Sequence, residues 1–308
     1  MDYYNPYDMR SGLEGVETFL VNCLPPLHSS LEEYQISIPA HDGAINKATV
    51  VRPKAKSTQG RPLIVLFHGG AFTAGSTRMV TRPARDFAKE FDAVVVSPSY
   101  RLSPENKFPT QFDDSIDAVQ WLSRPETLQE LNADLAAGFI IGGQSAGGSL
   151  SATILQYMLD QKMQPAPTGG YVCIPLLLSR DIVPPEYKDE WTSMDEQADK
   201  HPLLTEKGLA DLVGAMQADV RSPKFSPFNS PNPHVGLPRV YVQVGQSDSM
   251  RDDGIIYAKA MQKADVDVRL DNFQELGHEA WSIFTNEDSP KSLAIKSLAA
   301  MKWLLRRD

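Results

Sequence analysis

Residues 139–151 contain the strongest chemical pattern in the chain. The segment Gly143-Gln144-Ser145-Ala146-Gly147 follows an apolar stretch typical of a strand and precedes a helical pattern. This GxSxG arrangement is typical of a nucleophile elbow, a strand-to-helix turn so tight that only small neighbours fit. The free N–H groups and positive dipole end of the following helix face the serine. We therefore predict that Ser145 is a nucleophile, against the alternative of a glycine-rich turn that simply opens a helix.

A serine hydroxyl becomes an effective nucleophile only when a base takes its proton, and imidazole suits that task because its pKa is near neutrality. The chain has six histidines, His28, His41, His68, His201, His234 and His278. His278 follows the last predicted strand and is therefore the predicted base. His68 opens a glycine loop, so we expect it to order that loop by hydrogen bonding.

A carboxylate beside the second imidazole nitrogen fixes the tautomer and stabilises the imidazolium. Asp248 lies just past the predicted strand at 239–244, where such a carboxylate is expected. Asp252 and Asp253 are predicted to open the next helix, because acidic side chains favour a first turn. The chain order serine, aspartate, histidine is the one associated with α/β-hydrolases.

A tetrahedral oxyanion needs preorganised N–H donors. The apolar stretch at 62–67 runs into His68-Gly69-Gly70-Ala71-Phe72, where adjacent glycines leave the backbone uncovered. The predicted donors are the amides of Gly69, Gly70 and Ala146. A flexible loop is the alternative, but ligands in open α/β sheets bind beyond the carboxyl ends of the strands.

Strand and helix patterns alternate along the chain, which predicts a mostly parallel sheet with helices on both faces. The predicted strands are two within 34–52, joined by a turn at 41–43, and others at 62–67, 93–97, 139–141, 172–177, 239–244 and 266–276. Predicted buried helix stripes include Leu13, Val16, Phe19 and Leu20; Leu209, Leu212, Val213 and Met216; and Ala294, Leu298, Met301 and Leu305. About sixty residues separate Leu178 from the strand at 239, far more than a crossover needs, which indicates a lid.

Composition bounds the class of protein. The chain has 308 residues, 42% hydrophobic and 22% charged, with a net charge of −9, which is typical of a globular domain without general affinity for nucleic acid or anionic membranes. The two cysteines, Cys23 and Cys173, give neither a disulfide framework nor metal-ligand spacing. No signal peptide or membrane-spanning stretch is recognised, so we expect a cytoplasmic protein without membrane insertion. Neither a metal nor an organic cofactor is implied.

Over roughly residues 60–285 the sequence resembles the hormone-sensitive-lipase group of α/β-hydrolases, the fold-3 carboxylesterases. The motifs that carry the resemblance are His68-Gly69-Gly70, Tyr100-Arg101-Leu102-Ser103-Pro104-Glu105, Gly143-Gln144-Ser145-Ala146-Gly147-Gly148, Asp248-Ser249-Met250-Arg251-Asp252 and Gly277-His278. The resemblance implies one α/β-hydrolase domain over 1–308, with a cap from about 1–33 and 179–235. It also implies serine-dependent ester hydrolysis, and homodimers are common in the family.

The sequence departs from the family pattern at four places. Ala71 replaces a third glycine, Gln144 replaces an aspartate, Ser249 replaces a proline, and Glu279-Ala280 replaces Gly-Phe. None of these changes removes a catalytic atom. Gln144 and Glu279 adjoin catalytic side chains, so the acyl and alcohol preferences stay open.

The first hypothesis is a carboxylic-ester hydrolase that acts through an acyl-enzyme on small or medium acyl esters. Phe72, Gln144 and Trp281 are predicted to line its substrate pocket. The same triad also suits amide or lactone hydrolysis, acyl transfer, or elimination on a secondary metabolite. A non-catalytic small-molecule receptor is a further alternative, disfavoured because His278 is present.

Overall fold

The computed structural model describes residues 5–57, 60–198, 205–278, 280 and 291–307. Its strands are β1 (Leu31–Pro39), β2 (Ile45–Pro53), β3 (Leu63–Phe67), β4 (Val94–Pro98), β5 (Phe139–Gln144), β6 (Gly169–Cys173), β7 (Arg239–Gly245) and β8 (Val268–Phe273). Its α-helices are α1 (Pro6–Cys23), α2 (Thr81–Phe91), α3 (Thr110–Leu122), α4 (Pro125–Leu131), α5 (Ala146–Asp160), α6 (Ser193–Glu196), α7 (Glu206–Met216), α8 (Arg251–Lys263) and α9 (Lys291–Leu304).

The described strands form one sheet in the order β1-β2-β4-β3-β5-β6-β7-β8. The β1–β2 hairpin and the β2–β4 pair are antiparallel, and every later pair is parallel. Strands β3, β4, β5 and β6 are buried along their whole length, as expected where helices cover both faces. The predicted α/β-hydrolase fold is confirmed.

Two apolar layers sandwich the sheet. Phe112 of α3, Ile154 of α5 and Tyr257 of α8 pack in one layer. Phe87 of α2 and Met301 of α9 pack in the other. Each of these five side chains is at most 1% exposed, and burying one contributes about 1.5–3 kcal/mol. This double-sided packing fixes the carboxyl ends of the strands, where the predicted reactive residues lie.

Glycine at the β5–α5 turn is required by backbone contact. A Cβ atom on Gly147 would lie 2.1 Å from the Phe67 carbonyl oxygen, and one on Gly148 would lie 2.5 Å from that of Cys173. Larger residues at these positions would push α5 away from β3 and β6. The small residues therefore let the helix begin directly against the ends of the strands.

The N-terminal helix is confirmed as α1, but of its predicted stripe only Leu20 is buried and Leu13 is half-buried. Val16 is 40% and Phe19 66% exposed, whereas Glu17 is buried together with Leu20. The reason is a polar contact: the Glu17 carboxylate accepts hydrogen bonds from the N–H and the hydroxyl of Ser76, each at 2.7 Å. Burial raises the pKa of Glu17. This helix is attached by specific polar contacts as well as by apolar burial.

The strand predicted at 172–177 ends earlier, because β6 stops at Cys173. Ile174 has a φ of 42°, which turns the chain out of the sheet. The backbone N–H groups of Leu177 and Leu178 then donate to the Asp253 carboxylate at 2.7 and 2.9 Å. The buried Asp253 side chain thus accepts the hydrogen bonds that a neighbouring strand would accept if β6 continued to residue 177.

The segment between β6 and β7 contains α6 and α7, and the predicted stripe of α7 is largely confirmed. Leu209, Leu212 and Met216 are buried and Val213 is half-buried. The stripe predicted for the last helix is buried at Met301 of α9 and at Leu305 just after its end, and half-buried at Ala294 and Leu298.

The start of this segment is tied to the first turn of α8. Asp252 accepts hydrogen bonds from the N–H groups of Thr192 and Ser193, at 2.8 and 2.6 Å. Asp253 accepts one from the Trp191 indole at 2.7 Å. The acidic first turn of α8 therefore holds another part of the chain, beyond opening its own helix as predicted.

Candidate active site

Ser145 occupies the turn between β5 and α5 with φ 53° and ψ −122°. A non-glycine residue in such a conformation costs on the order of 1–3 kcal/mol and persists only where the surroundings enforce it. Here the Ser145 N–H donates to the Cys173 carbonyl at 2.9 Å, and the adjacent glycines keep α5 close. This enforced backbone conformation places the hydroxyl beyond the end of the sheet.

The three residues predicted from chain order meet in space. The Nε2 atom of His278 lies 2.8 Å from the Ser145 hydroxyl. Its Nδ1 atom lies 2.9 Å from the Asp248 carboxylate. The Asp248 side chain is fully buried and the His278 side chain is 14% exposed, so the pair is largely shielded from water.

The hydrogen-bond partners define the histidine tautomer. A carboxylate only accepts, so the His278 Nδ1–H donates to Asp248. In the neutral ring Nε2 then accepts the Ser145 proton. The other Asp248 oxygen accepts from the Met250 N–H at 2.8 Å, which prevents the carboxylate from rotating. The arrangement can remove a proton from serine and stabilise the resulting imidazolium.

The glycine loop after β3 lies beside Ser145. A Cβ atom on Gly69 would stand 3.2 Å from the Ser145 Cβ. Gly70, Ala71 and Phe72 have φ of 112°, 50° and 59°, so the chain turns sharply there. Within the described part of the chain, the N–H groups of Gly69, Gly70 and Ala146 donate to no backbone carbonyl. Ala71 tolerates a conformation that glycine adopts more easily, which explains why the family pattern has glycine there.

His68 supports this loop, as its position predicted. Its Nδ1 atom lies 2.7 Å from the Gly69 carbonyl, so Nδ1 carries the proton. The ring stacks on Tyr100 at a centroid distance of 4.3 Å, and the Tyr100 hydroxyl donates to the His68 carbonyl at 2.9 Å. Burial lowers the pKa of His68 to about 4, so the ring is neutral at pH 7.

Arg10 of α1 braces the same region from outside the sheet, a role that the sequence did not reveal. Its guanidinium donates at 2.6 Å to the carbonyls of Thr73 and Ser103 and to the carboxylate of Glu105. These partners are 63 to 95 residues away in the chain. An arginine in a predicted helix does not indicate which distant groups it will contact. The only indication in the sequence is that Ser103 and Glu105 belong to the family motif at 100–105.

A mostly apolar cavity opens at Ser145. It is lined by Met9, Ala71, Phe72, Ser145, Ala146, Leu176, Met194, Thr205, Gly208, Leu209, Leu212 and Met250. Phe72 therefore lies where a substrate-lining residue was predicted. The Gln144 side chain instead lines a different cavity on the other face of the sheet, because successive side chains of a strand point to opposite faces. Trp281 and Glu279 lie outside the described residues.

Other classes of site find no support in the described ranges. There, no group of three or more His, Cys, Asp or Glu side chains is arranged to hold a metal ion. No helix among the same residues is long and apolar enough to cross a membrane.

Comparison with known proteins establishes the family. The α/β-hydrolase fold family matches residues 64–282. The chain belongs to this α/β-hydrolase family. Its relatives include esterase LipI of Mycobacterium tuberculosis, 31% identical over 87% of this chain and 81% of that protein. They also include an AB hydrolase superfamily protein of Schizosaccharomyces pombe, 28% identical over 98% of this chain and 88% of that protein.

Several solved structures also superpose closely on the chain. Vibralactone cyclase matches with a TM-score of 0.87 and 25% identity, over 100% of this chain and 91% of that one. A hyperthermophilic esterase from Pyrobaculum calidifontis matches with a TM-score of 0.82 and 25% identity, over 97% and 94%. The predicted resemblance to hormone-sensitive-lipase-type carboxylesterases is confirmed, and the protein is a carboxylesterase-like hydrolase.

Proposed function

We propose that this α/β-hydrolase cleaves carboxylic esters through an acyl-enzyme formed on Ser145. His278 takes the serine proton as the hydroxyl attacks the ester carbonyl, and then gives that proton to the leaving alcohol. Water attacks the acyl-enzyme next, with His278 again acting as base, and the acid product leaves. Asp248 holds the imidazole and stabilises its positive charge. The observation that carries the proposal is the continuous chain of contacts from Ser145 through His278 to Asp248.

The oxyanion of each tetrahedral intermediate is assigned to the N–H groups of Gly69, Gly70 and Ala146. The position of Gly69 against Ser145 supports this assignment. So does the start of α5 at Ala146, where N–H groups and the helix dipole favour negative charge. Removing one donor from such a site typically costs 10²–10³ in kcat.

The cap is assigned to residues 1–33 and 179–235 of a single domain that spans 1–308. Met9 from the first segment and Leu209 and Leu212 from the second line the cavity at Ser145, which supports the assignment. Their apolar side chains favour an uncharged acyl group. The small volume of this cavity, about 40 Å³, favours small or medium acyl chains over long ones.

Ester hydrolysis is tested with p-nitrophenyl esters from acetate to decanoate, together with labelling by a fluorophosphonate. We expect Ser145→Ala to abolish labelling and to reduce turnover on the order of 10⁶-fold. Ser151→Ala, which changes a buried serine on α5, is the matched control and should keep its labelling. Full activity in the Ser145→Ala variant would refute the proposal.

Acyl transfer within one substrate is the second candidate, favoured by the whole-chain similarity to vibralactone cyclase. In this reaction a hydroxyl of the acyl group itself replaces water, so the acyl-enzyme resolves by ring closure. The same three residues would serve. Product analysis with hydroxy-acyl esters distinguishes the two, because ring closure gives a lactone and hydrolysis gives the free hydroxy acid.

A further inference from the structure

A second cavity lies behind the nucleophile elbow, on the sheet face opposite the cavity at Ser145. It has a volume of about 100 Å³. Leu20 and Leu24 from the end of α1, Phe87 from α2 and Leu298 from α9 provide much of its apolar wall. Gln144, the residue directly before Ser145, contributes its side chain to the same wall.

The Gln144 amide is the unusual feature of this cavity. The residue is 7% exposed. Its Nε2 atom has no hydrogen-bond partner in the part of the chain that the structure describes. A buried amide left without a partner costs about 1–3 kcal/mol. Such a group in an apolar cavity is complementary to a ligand that carries a hydrogen-bond acceptor.

The other polar groups on the cavity wall already have partners. The Tyr171 hydroxyl lies 2.9 Å from the Ser297 hydroxyl, and the Cys173 thiol lies 3.1 Å from the Gln243 side-chain oxygen. Arg82 pairs with Asp86 at 3.6 Å. Arg78, the remaining cation of the wall, is exposed and donates to the Thr18 hydroxyl at 3.2 Å, so solvent compensates its charge without an ionic ligand. A single water is a poor occupant, since buried water normally makes about three hydrogen bonds.

We propose that this cavity binds a neutral, mostly apolar molecule through one carbonyl group, which accepts a hydrogen bond from the Gln144 amide. Ketones, lactones and esters have this chemistry. The site is separate from Ser145, although Gln144 connects the two through the backbone of the elbow. The proposal does not depend on the catalytic roles given to Ser145, Asp248 and His278.

The test uses 4′-fluoroacetophenone, a ketone that the protein has no means to hydrolyse, followed by fluorine NMR. The control ligand is 1-ethyl-4-fluorobenzene, which has a similar shape but no acceptor. We expect the ketone to bind more tightly than the hydrocarbon. Gln144→Met keeps side-chain length but removes the donor, so it should weaken ketone binding roughly fivefold and leave hydrocarbon binding unchanged.

A second variant locates the binding without relying on the elbow. Ala294→Phe, on the α9 wall of the cavity, should weaken both ligands by filling the space. Thermal unfolding verifies that each variant is folded. Ketone binding that neither substitution alters, or that fails to exceed hydrocarbon binding, would overturn the proposal. Because the readout is binding, a protein that hydrolyses no ester would leave this result unaffected.

Discussion

At the scale of single residues, the hydrogen bond between Asp248 and His278 defines which imidazole nitrogen carries the proton. The carboxylate is held by the Met250 N–H and faces Nδ1 at 2.9 Å. An asparagine at this position keeps the shape, but its amide can donate to Nδ1 and thereby favour the other tautomer. Nε2 would then be protonated and unable to accept from Ser145.

We therefore expect Asp248→Asn to reduce kcat/KM for ester hydrolysis on the order of 10⁴-fold at neutral pH. Steady-state rates with a p-nitrophenyl ester measure the effect. Asp267→Asn, which changes a largely exposed carboxylate paired with Arg239, is the control and should retain full activity. If the Asp248→Asn variant kept kcat/KM within about tenfold of the unmodified protein, the assigned role of Asp248 would be contradicted. A tenfold loss corresponds to only 1.36 kcal/mol of transition-state stabilisation.

His234 is a second residue whose environment makes a measurable prediction. Its ring is buried against Phe228 and Tyr257, and neither ring nitrogen has a hydrogen-bond partner among the described residues. Burial lowers the pKa of His234 to about 4, whereas an unfolded histidine titrates near 6.5. Between about pH 4 and 6.5, His234 is therefore neutral in the folded state and protonated in the unfolded state.

The sign follows from linkage: a depressed histidine pKa removes stability as the pH falls from about 6.5 towards 4. We expect His234→Phe to lose less stability than the unmodified protein over this window, by on the order of 3 kcal/mol. Urea unfolding at pH 7 and pH 4.5 measures the difference. The exposed His28→Phe is the control, and equal acid sensitivity in the His234→Phe variant and the unmodified protein would contradict the prediction.

At the scale of elements, the first turn of α8 joins the carboxyl end of β7 to the segment after β6. Asp253 accepts hydrogen bonds from Leu177, Leu178 and Trp191, only a few residues from Asp248. Those donors favour the charged carboxylate, but burial outweighs them and raises the pKa of Asp253 to about 7. A raised carboxyl pKa contributes stability that is complete below about pH 4 and is lost as the pH rises to about 7.

We expect Asp253→Asn to be less stable than the unmodified protein, with a gap that narrows between pH 4.5 and 7.5. Asparagine does not titrate, so the variant does not lose folding stability with rising pH as the protein with the Asp253 carboxyl group does. Urea unfolding at both pH values measures the gap. A gap that widens with pH would mean that the three N–H donors outweigh burial and keep the carboxylate charged.

At the scale of the whole molecule, α1 packs on the outside of a sheet that other helices already cover on both faces. Of its residues, Glu17 and Leu20 are buried, and Arg10 donates to the carbonyls of Thr73, next to the glycine loop after β3, and of Ser103. We expect a chain that begins at residue 26 to keep its sheet but to lose about 10²-fold in kcat/KM, because the loop loses its brace. Circular dichroism and ester hydrolysis test this together.

Arg10→Met is the matched point variant and should reproduce much of the kinetic loss with α1 still present. Arg52→Met, which breaks the Arg52–Glu32 pair on the outer hairpin, should have little effect. Failure of the shortened chain to form the sheet would show that α1 belongs to the core.

Most features that depend on neighbouring residues in the chain, such as tight turns and buried strands, were predicted from the sequence. Ser145 and its glycines were recognisable because a tight turn restricts residue types, and the buried strands because they are continuously apolar. The contacts among Ser145, Asp248 and His278 were predictable because each follows a strand. Three other contacts between distant segments were not: Arg10 with Thr73, Glu17 with Ser76, and Asp253 with the chain after β6. Each of these three contacts depends on hydrogen bonds to a polar side chain, so it cannot be predicted from hydrophobic periodicity. The homodimer implied by the family stays a prediction.

The two cysteines described above differ in a way that is useful experimentally. Cys23, the last residue of α1, is exposed, whereas Cys173 is buried under α9. Burial also raises the pKa of the Cys173 thiol to about 12, and the thiolate is the form that reacts with alkylating reagents. A maleimide dye should therefore attach at Cys23 alone, without any engineered substitution. Its fluorescence would then report whether α1 moves while substrate enters and product departs.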